Sequence, residues 1–193
     1  MNVRSVACAS DLARLLLNRF LEVHPWERIK DGLKRFRVSP TFTYNPGTDK
    51  MEASFRSSED GRLLLEDVLN LMNEKSDPGN RLVVILEEFQ DNADYAPGTD
   101  KLLRAVMQMH ENVNYVFLGS GESKMRALFE TIRSPFFRFG SLMHLGRIPY
   151  DDFCLFLSER LSPLCGSRSE EYAREILDLS KCYPFYTQQL AGG

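Results

Sequence analysis

No apolar run in the 193-residue chain approaches the ~20 residues that span a bilayer. The N-terminal stretch also lacks the charged-then-apolar plan of a signal peptide. No membrane association is expected, and the cytoplasm follows as the default compartment. Cysteine is sparse and unpatterned: Cys8, Cys154, Cys165 and Cys182 include no C-x-x-C pair, so reduced thiols are expected rather than a disulfide framework. His24, His110 and His144 stand singly, without H-x-x-x-H spacing or a Cys/His cluster, which argues against a structural or catalytic zinc site. An excess of positive charge is missing too. A net charge of -3 and a pI near 5.7 argue against a dedicated nucleic-acid surface, and no nucleic-acid partner is expected. The basic cluster Lys30, Lys34, Arg35 and Arg37 is broken by Asp31 and preceded by Glu27, so it reads as a solvated helix face.

What is present suits one ordinary domain, or one plus part of another: 43% of residues are hydrophobic and 26% charged. Helical spacing of Leu12, Leu15, Leu16 and Phe20 predicts an amphipathic helix over residues 10–20, with Ser10 as N-cap. A second, more basic helix is predicted from Trp26 to Phe36, after Pro25. Alternation on either side of Asn45-Pro46-Gly47-Thr48-Asp49 predicts a hairpin between residues 40 and 58. Leu63, Leu64, Val68, Leu71 and Met72 restore the helical period over residues 59–75.

Two continuously apolar segments follow, Leu82–Leu86 and Asn114–Leu118, separated by a helical pattern from Thr99 to about His110. Strand, helix, strand implies parallel pairing through a right-handed crossover, with both strands buried. A short helix at Met125–Phe129, an aromatic loop at residues 135–140 and a short strand at Ser141–Leu145 come next. Beyond Pro149 the pattern turns all-helical: Tyr150–Leu161, Ser169–Leu179 and Pro184–Ala191. That change of pattern predicts an α/β domain over residues 1–149 and a small helical domain over residues 150–193.

The first apolar strand ends in Glu87-Glu88, the second in Gly119-Ser120-Gly121. In open parallel sheets ligands sit beyond the carboxyl ends of the strands, so two adjacent carboxylates and a hydroxyl there suggest a metal-nucleotide site. One acid would hold magnesium through water and the other would polarise an attacking water, with the Ser120 hydroxyl near the γ-phosphate or that water. A plainer reading makes the acids a solvated helix start, since helix N-termini favour negative charge. Ser120 as a nucleophile has little support, because Gly119-Ser120-Gly121 is not G-x-S-x-G and no histidine is placed to activate it. Phe136, Phe137 and Phe139 read as packing residues rather than a base-stacking platform, because no basic stripe accompanies them.

Taken in order, Val83-Val84-Ile85-Leu86-Glu87-Glu88-Phe89-Gln90, Leu103-Arg104-Ala105-Val106-Met107-Gln108, Phe117-Leu118-Gly119-Ser120, Ser134-Pro135-Phe136-Phe137-Arg138-Phe139-Gly140, Leu145-Gly146-Arg147-Ile148-Pro149 and Tyr183-Pro184-Phe185-Tyr186 resemble the prokaryotic AAA-plus ATPases of the STAND-like, archaeal-type group. The resemblance is strong over residues 81–193 and weaker before, where Val3-Arg4-Ser5 and Leu12-Ala13-Arg14-Leu15-Leu16 look like the family's second core strand entering its helix. It implies a partial P-loop NTPase parallel sheet with flanking helices, followed by a small all-helical lid. It further implies that Glu87 stands at the Walker B aspartate and metal position, Glu88 at the catalytic glutamate, Ser120 at sensor one, and Pro184 at the lid proline that lies against adenine. Arg138 falls in a family motif without an assigned role. ATP and magnesium are the implied cofactors of the complete protein, with a protein partner or effector domain downstream.

The departures are specific. No G-x-x-x-x-G-K-[ST] phosphate loop occurs, and Gly119-Ser120-Gly121-Glu122-Ser123-Lys124 has neither its spacing nor its glycine pattern. By the resemblance that loop lies upstream of Met1, so the chain is expected to begin after it and to end within or just after the lid. Glu87 is longer than the family's aspartate by roughly a C–C bond length, which matters to a magnesium shell that tolerates little error. The family's Gly-His-Pro is Cys182-Tyr183-Pro184 here. Two functions are therefore expected in competition. One is a fragment of an ATPase that hydrolyses or exchanges Mg-ATP as a conformational switch. The other is a degenerate, non-hydrolysing protein-interaction module on the same fold.

Overall fold

The fold follows from where the apolar stripes can be buried. In α1 (Ala9–Val23), Ala9, Leu12, Ala13, Leu16, Leu17 and Phe20 recur at helical spacing and are all buried. They face α3 (Gly61–Glu74), whose Leu64, Leu65, Val68 and Leu69 are fully enclosed. The two helices meet closely at Gly61, where a Cβ would stand 2.9 Å from the Ser10 backbone nitrogen. The N-cap of α1 is Cys8 rather than Ser10, and it makes no side-chain cap bond. Asp11 in the first turn accepts from the Ala7 N–H, which lies ahead of the helix, at 3.3 Å.

A computed structural model describes residues 1–4, 6–47, 50–55, 61–94 and 98–192 of the chain. It is an α/β structure with two two-stranded sheets, one antiparallel and one parallel. The antiparallel pair is the expected hairpin, β1 (Thr41–Asn45) and β2 (Lys50–Ser54), in register Thr41 to Ser54; Thr48 and Asp49 of its turn lie outside the described residues. Asn18 of α1 clasps this hairpin, accepting from Ala53 N–H at 2.7 Å and donating to Ala53 C=O at 3.3 Å. One amide side chain thus satisfies both backbone groups of an edge residue.

The parallel pair is β3 (Leu82–Leu86) and β4 (Val113–Phe117), with α4 (Thr99–Met107) between them in sequence. Residues 1–3 lie along the other side of β3: Glu87 N–H donates to Met1 C=O at 2.9 Å and Val3 N–H to Glu87 C=O at 3.0 Å, a parallel bridge between Asn2 and Glu87. Val3 is buried beside this isolated bridge, and Ser5 of the expected strand lies outside the described residues.

Burial of these strands differs from the expectation. Val84, Leu86 and Val113 are buried, but Val83, Ile85, Val116 and Leu118 are 54%, 42%, 39% and 44% exposed. The register pairs Val83 with Asn114 and Ile85 with Val116, so the exposed side chains share one face. A continuous apolar run signals a strand covered on both faces. Here the core cluster covers one face alone, and β4 has a strand on one side only among the described residues.

Helix α2 (Trp26–Leu33) ends before Phe36, and α5 (Glu122–Glu130) begins earlier than Met125. The expected strand at Ser141–Leu145 is not formed: those residues have no regular structure and stand exposed, without a neighbouring strand to bond. The chain divides into two compact units at Ser141, ahead of the expected residue 149. The second unit contains α6 (Tyr150–Cys165), α7 (Ser169–Ser180) and α8 (Pro184–Ala191), packed around Phe153, Leu157, Leu161, Ala173 and Leu177. Its helices match the expected positions, except that α6 continues through Pro163. Among the described residues no helix is long and apolar enough to cross a membrane.

Candidate functional site

The C-terminal end of β3 does not run on into a helix. Glu88 adopts a left-handed backbone (φ 58°), and the chain then winds into a 3-10 segment, Phe89–Asp94. A glutamate in that region is unfavourable by about 1–2 kcal/mol. Bonds on both sides hold it there: Phe89 N–H donates to Leu118 C=O at 2.9 Å, and Asp91 N–H to Glu88 C=O at 3.1 Å. Beneath it, Phe89 is buried in an aromatic cluster, 4.4 Å from the Phe117 ring centroid and 5.3 Å from that of Phe136. Phe136 is fully buried and Phe139 packs between Phe136 and the Arg104 guanidinium, so the aromatic loop serves packing as expected. Phe137 lies under the Arg138 guanidinium, and Arg138 is itself left-handed (φ 54°).

Glu88 and Ser120 are brought together. The Ser120 hydroxyl donates to Glu88 Oε2 at 2.9 Å, and the Gln90 carboxamide Nε2 donates to the same oxygen at 2.6 Å. These two hydrogen bonds, Gln90 first, hold the Glu88 carboxyl below its ordinary value, with a small further contribution from the Arg4 charge. Among the described residues no donor to Glu88 Oε1 is found. Glu87 is exposed, and its Oε1 lies 3.8 Å from the Met1 α-ammonium. Asp91 completes an acidic corner with two cations beside it, Lys124 at 3.6 Å and Arg4 at 4.0 Å.

Pro184 belongs to the other unit, where it opens α8 at N1 behind Tyr183. The chain reaches it through two consecutive left-handed residues, Lys181 and Cys182 (φ 54° and 58°). Glycine would occupy either position without strain. Arg147 lies over the Tyr183 ring, 4.3 Å from its centroid, and donates to the Tyr183 hydroxyl at 2.6 Å. Pro184, Phe185 and Tyr186 are exposed.

Among the described residues no group of three or more His, Cys, Asp and Glu side chains gathers into a metal cage. The donors at the strand ends are hard oxygens, two carboxylates and a hydroxyl. That set fits magnesium, which keeps several waters and takes one or two carboxylates together with phosphate oxygens. A groove of about 300 Å³ runs along α1 between Asp11, Arg14, Asn18, Arg19 and Glu22. Its charges pair with one another, Arg14 with Asp11 and Arg19 with Glu22, as a solvated helix face does.

Sequence reasoning placed Gln90 within a motif but gave it no role, and it gave none to Asp91, Arg4 or Lys124. The one available signal for Gln90 was a polar residue next to Phe89 in a segment otherwise destined for burial. Comparison of the chain with protein-family models, curated proteins and solved structures finds no match.

Proposed function

We propose that the first unit carries the acidic half of an ATP-hydrolysing site of AAA-plus type, whose phosphate-binding half is supplied by a Gly-rich loop outside these 193 residues. The observation that carries the reading is the meeting of Glu88 and Ser120 across two parallel strand ends, beside the exposed Glu87. Within that reading Glu88 Oε1 accepts a proton from the attacking water, while Oε2 stays fixed by its two donors. Ser120 holds the carboxylate in place and is the hydroxyl nearest to it. Glu87 would hold magnesium, which when bound would neutralise charge between the terminal phosphates. Arg4 and Lys124, both beside Asp91, offset part of the negative charge that an approaching polyphosphate would meet. Pro184, exposed at the start of α8, is the surface against which an adenine ring would lie.

The bare sheet face and the free side of β4 fit this reading, since both surfaces suit one more parallel strand followed by a helix. The same observation supports a second reading, a non-hydrolysing module that uses Val83, Ile85, Val116 and Leu118 to bind a protein partner. Thermal denaturation of a protein extended upstream through the phosphate loop separates the two. For the ATPase, Mg-ATP at a hundred times its Kd should add about 2.7 kcal/mol of stability. An unchanged Tm would favour the interaction module.

A further inference from the structure

We propose that Gln90 is the positioning residue of the site: its carboxamide orients the Glu88 carboxylate, and Gly119 keeps open the space the carboxamide needs. The inference rests on Glu88 being the working carboxylate. Gln90 is 6% exposed, and its two amide atoms fare differently. Nε2 donates to Glu88 Oε2 at 2.6 Å, whereas Oε1 is buried with no hydrogen-bond partner. A buried acceptor left unpaired is costly, and such exceptions call for a reason. The chemistry supplies the reason: turning the amide round would set a carbonyl oxygen against the Glu88 carboxylate oxygen, two acceptors with no proton between them. Aiming Nε2 at Glu88 therefore commits Oε1 to the interior.

The place where Oε1 goes is defined by Gly119. A Cβ there would run into Gln90 Oε1 and would stand 2.5 Å from Met125 Sδ, and Met125 is itself buried. A side chain at residue 119 would push the carboxamide out of its seat. Gln90 and Ser120 then act as two fixed donors to one oxygen, one from the turn after β3 and one from the end of β4. Oε2 is occupied and, among the described residues, Oε1 of Glu88 has no donor, which gives the carboxylate a single direction of action.

The test reads amide exchange and turnover together. In the chain as it stands the Gln90 Nε2 protons, buried and bonded to Glu88 Oε2, should exchange slowly by NMR. Glu88→Ala, which removes the acceptor, should speed that exchange, and Gly119→Ala should do the same by displacing the carboxamide. In the protein extended upstream, Gln90→Leu should lower turnover by about 10–100-fold with ATP affinity unchanged. Exchange equally slow in folded Glu88→Ala, or turnover unchanged in folded Gln90→Leu where Glu88→Gln loses it, would overturn the proposal. Should Gln90→Leu fail to fold, Gln90→Asn keeps the amide and loses the reach, and the same loss of turnover or its absence decides. If the exchange responds while Glu88→Gln leaves hydrolysis of the extended protein intact, the clamp stands and the base assignment falls.

Discussion

Glu88 shows how much of a site is fixed by a single residue's surroundings. Its depressed carboxyl has a consequence for stability with a definite sign. A group whose folded pKa lies below its unfolded one stabilises the fold above the unfolded value, and that contribution is lost as pH falls through the folded value. The difference in stability between the unsubstituted chain and Glu88→Gln should therefore be present at pH 6–7 and should vanish as pH drops below the ordinary glutamate value of 4.5. Urea denaturation at a series of pH values measures it, and a difference that does not change across that range would mean the carboxylate is not held. The acidity of this corner was legible in the sequence because two carboxylates followed an unbroken apolar run. The clamp was not, because it depends on Glu88 being left-handed and on the direction of an amide, and neither leaves a mark on residue spacing. The same limit explains the N-cap of α1, where Ser10 looked suitable but lies inside the helix, which begins behind Cys8.

Elements followed periodicity well wherever a stripe had something to pack on. The helical stripes of α1, α3, α6 and α7 and the alternation of the β1–β2 hairpin were all legible, since burying one face is what selects those residues. The short strand expected at Ser141–Leu145 was not formed, because a strand exists only with a partner and periodicity does not reveal one. At the end of α7 the left-handed Lys181 takes the position that glycine usually fills. Lysine there costs about 1–2 kcal/mol, against about 0.5–1 kcal/mol of extra chain entropy for glycine. Lys181→Gly should therefore stabilise the helical unit by roughly 0.5–1 kcal/mol, read as slower amide exchange in α7. Faster exchange would show that the lysine side chain contributes more than its backbone costs.

At the scale of the whole molecule, the two-part plan was legible from the change of pattern after Pro149, although the structural division falls at Ser141. The parallel pairing of β3 and β4 was legible too, because two apolar runs separated by a helix have few other solutions. The bare face was not: Val83 and Ile85 look identical in sequence whether a helix covers them or not. That face, the side of β4 without a strand among the described residues, and the acidic strand ends all lie in one unit, and in the proposed reading a further strand with its loop and helix would complete all three. The central claim is that Glu88 acts on water in such a completed site. Its most direct measurement is steady-state ATP hydrolysis, together with ATP binding, by the upstream-extended protein and its Glu88→Gln variant. The expected result is unchanged ATP affinity with turnover reduced by about 10²–10⁴-fold, the range a positioned general base contributes. Turnover equal to that of the unsubstituted protein would contradict the account.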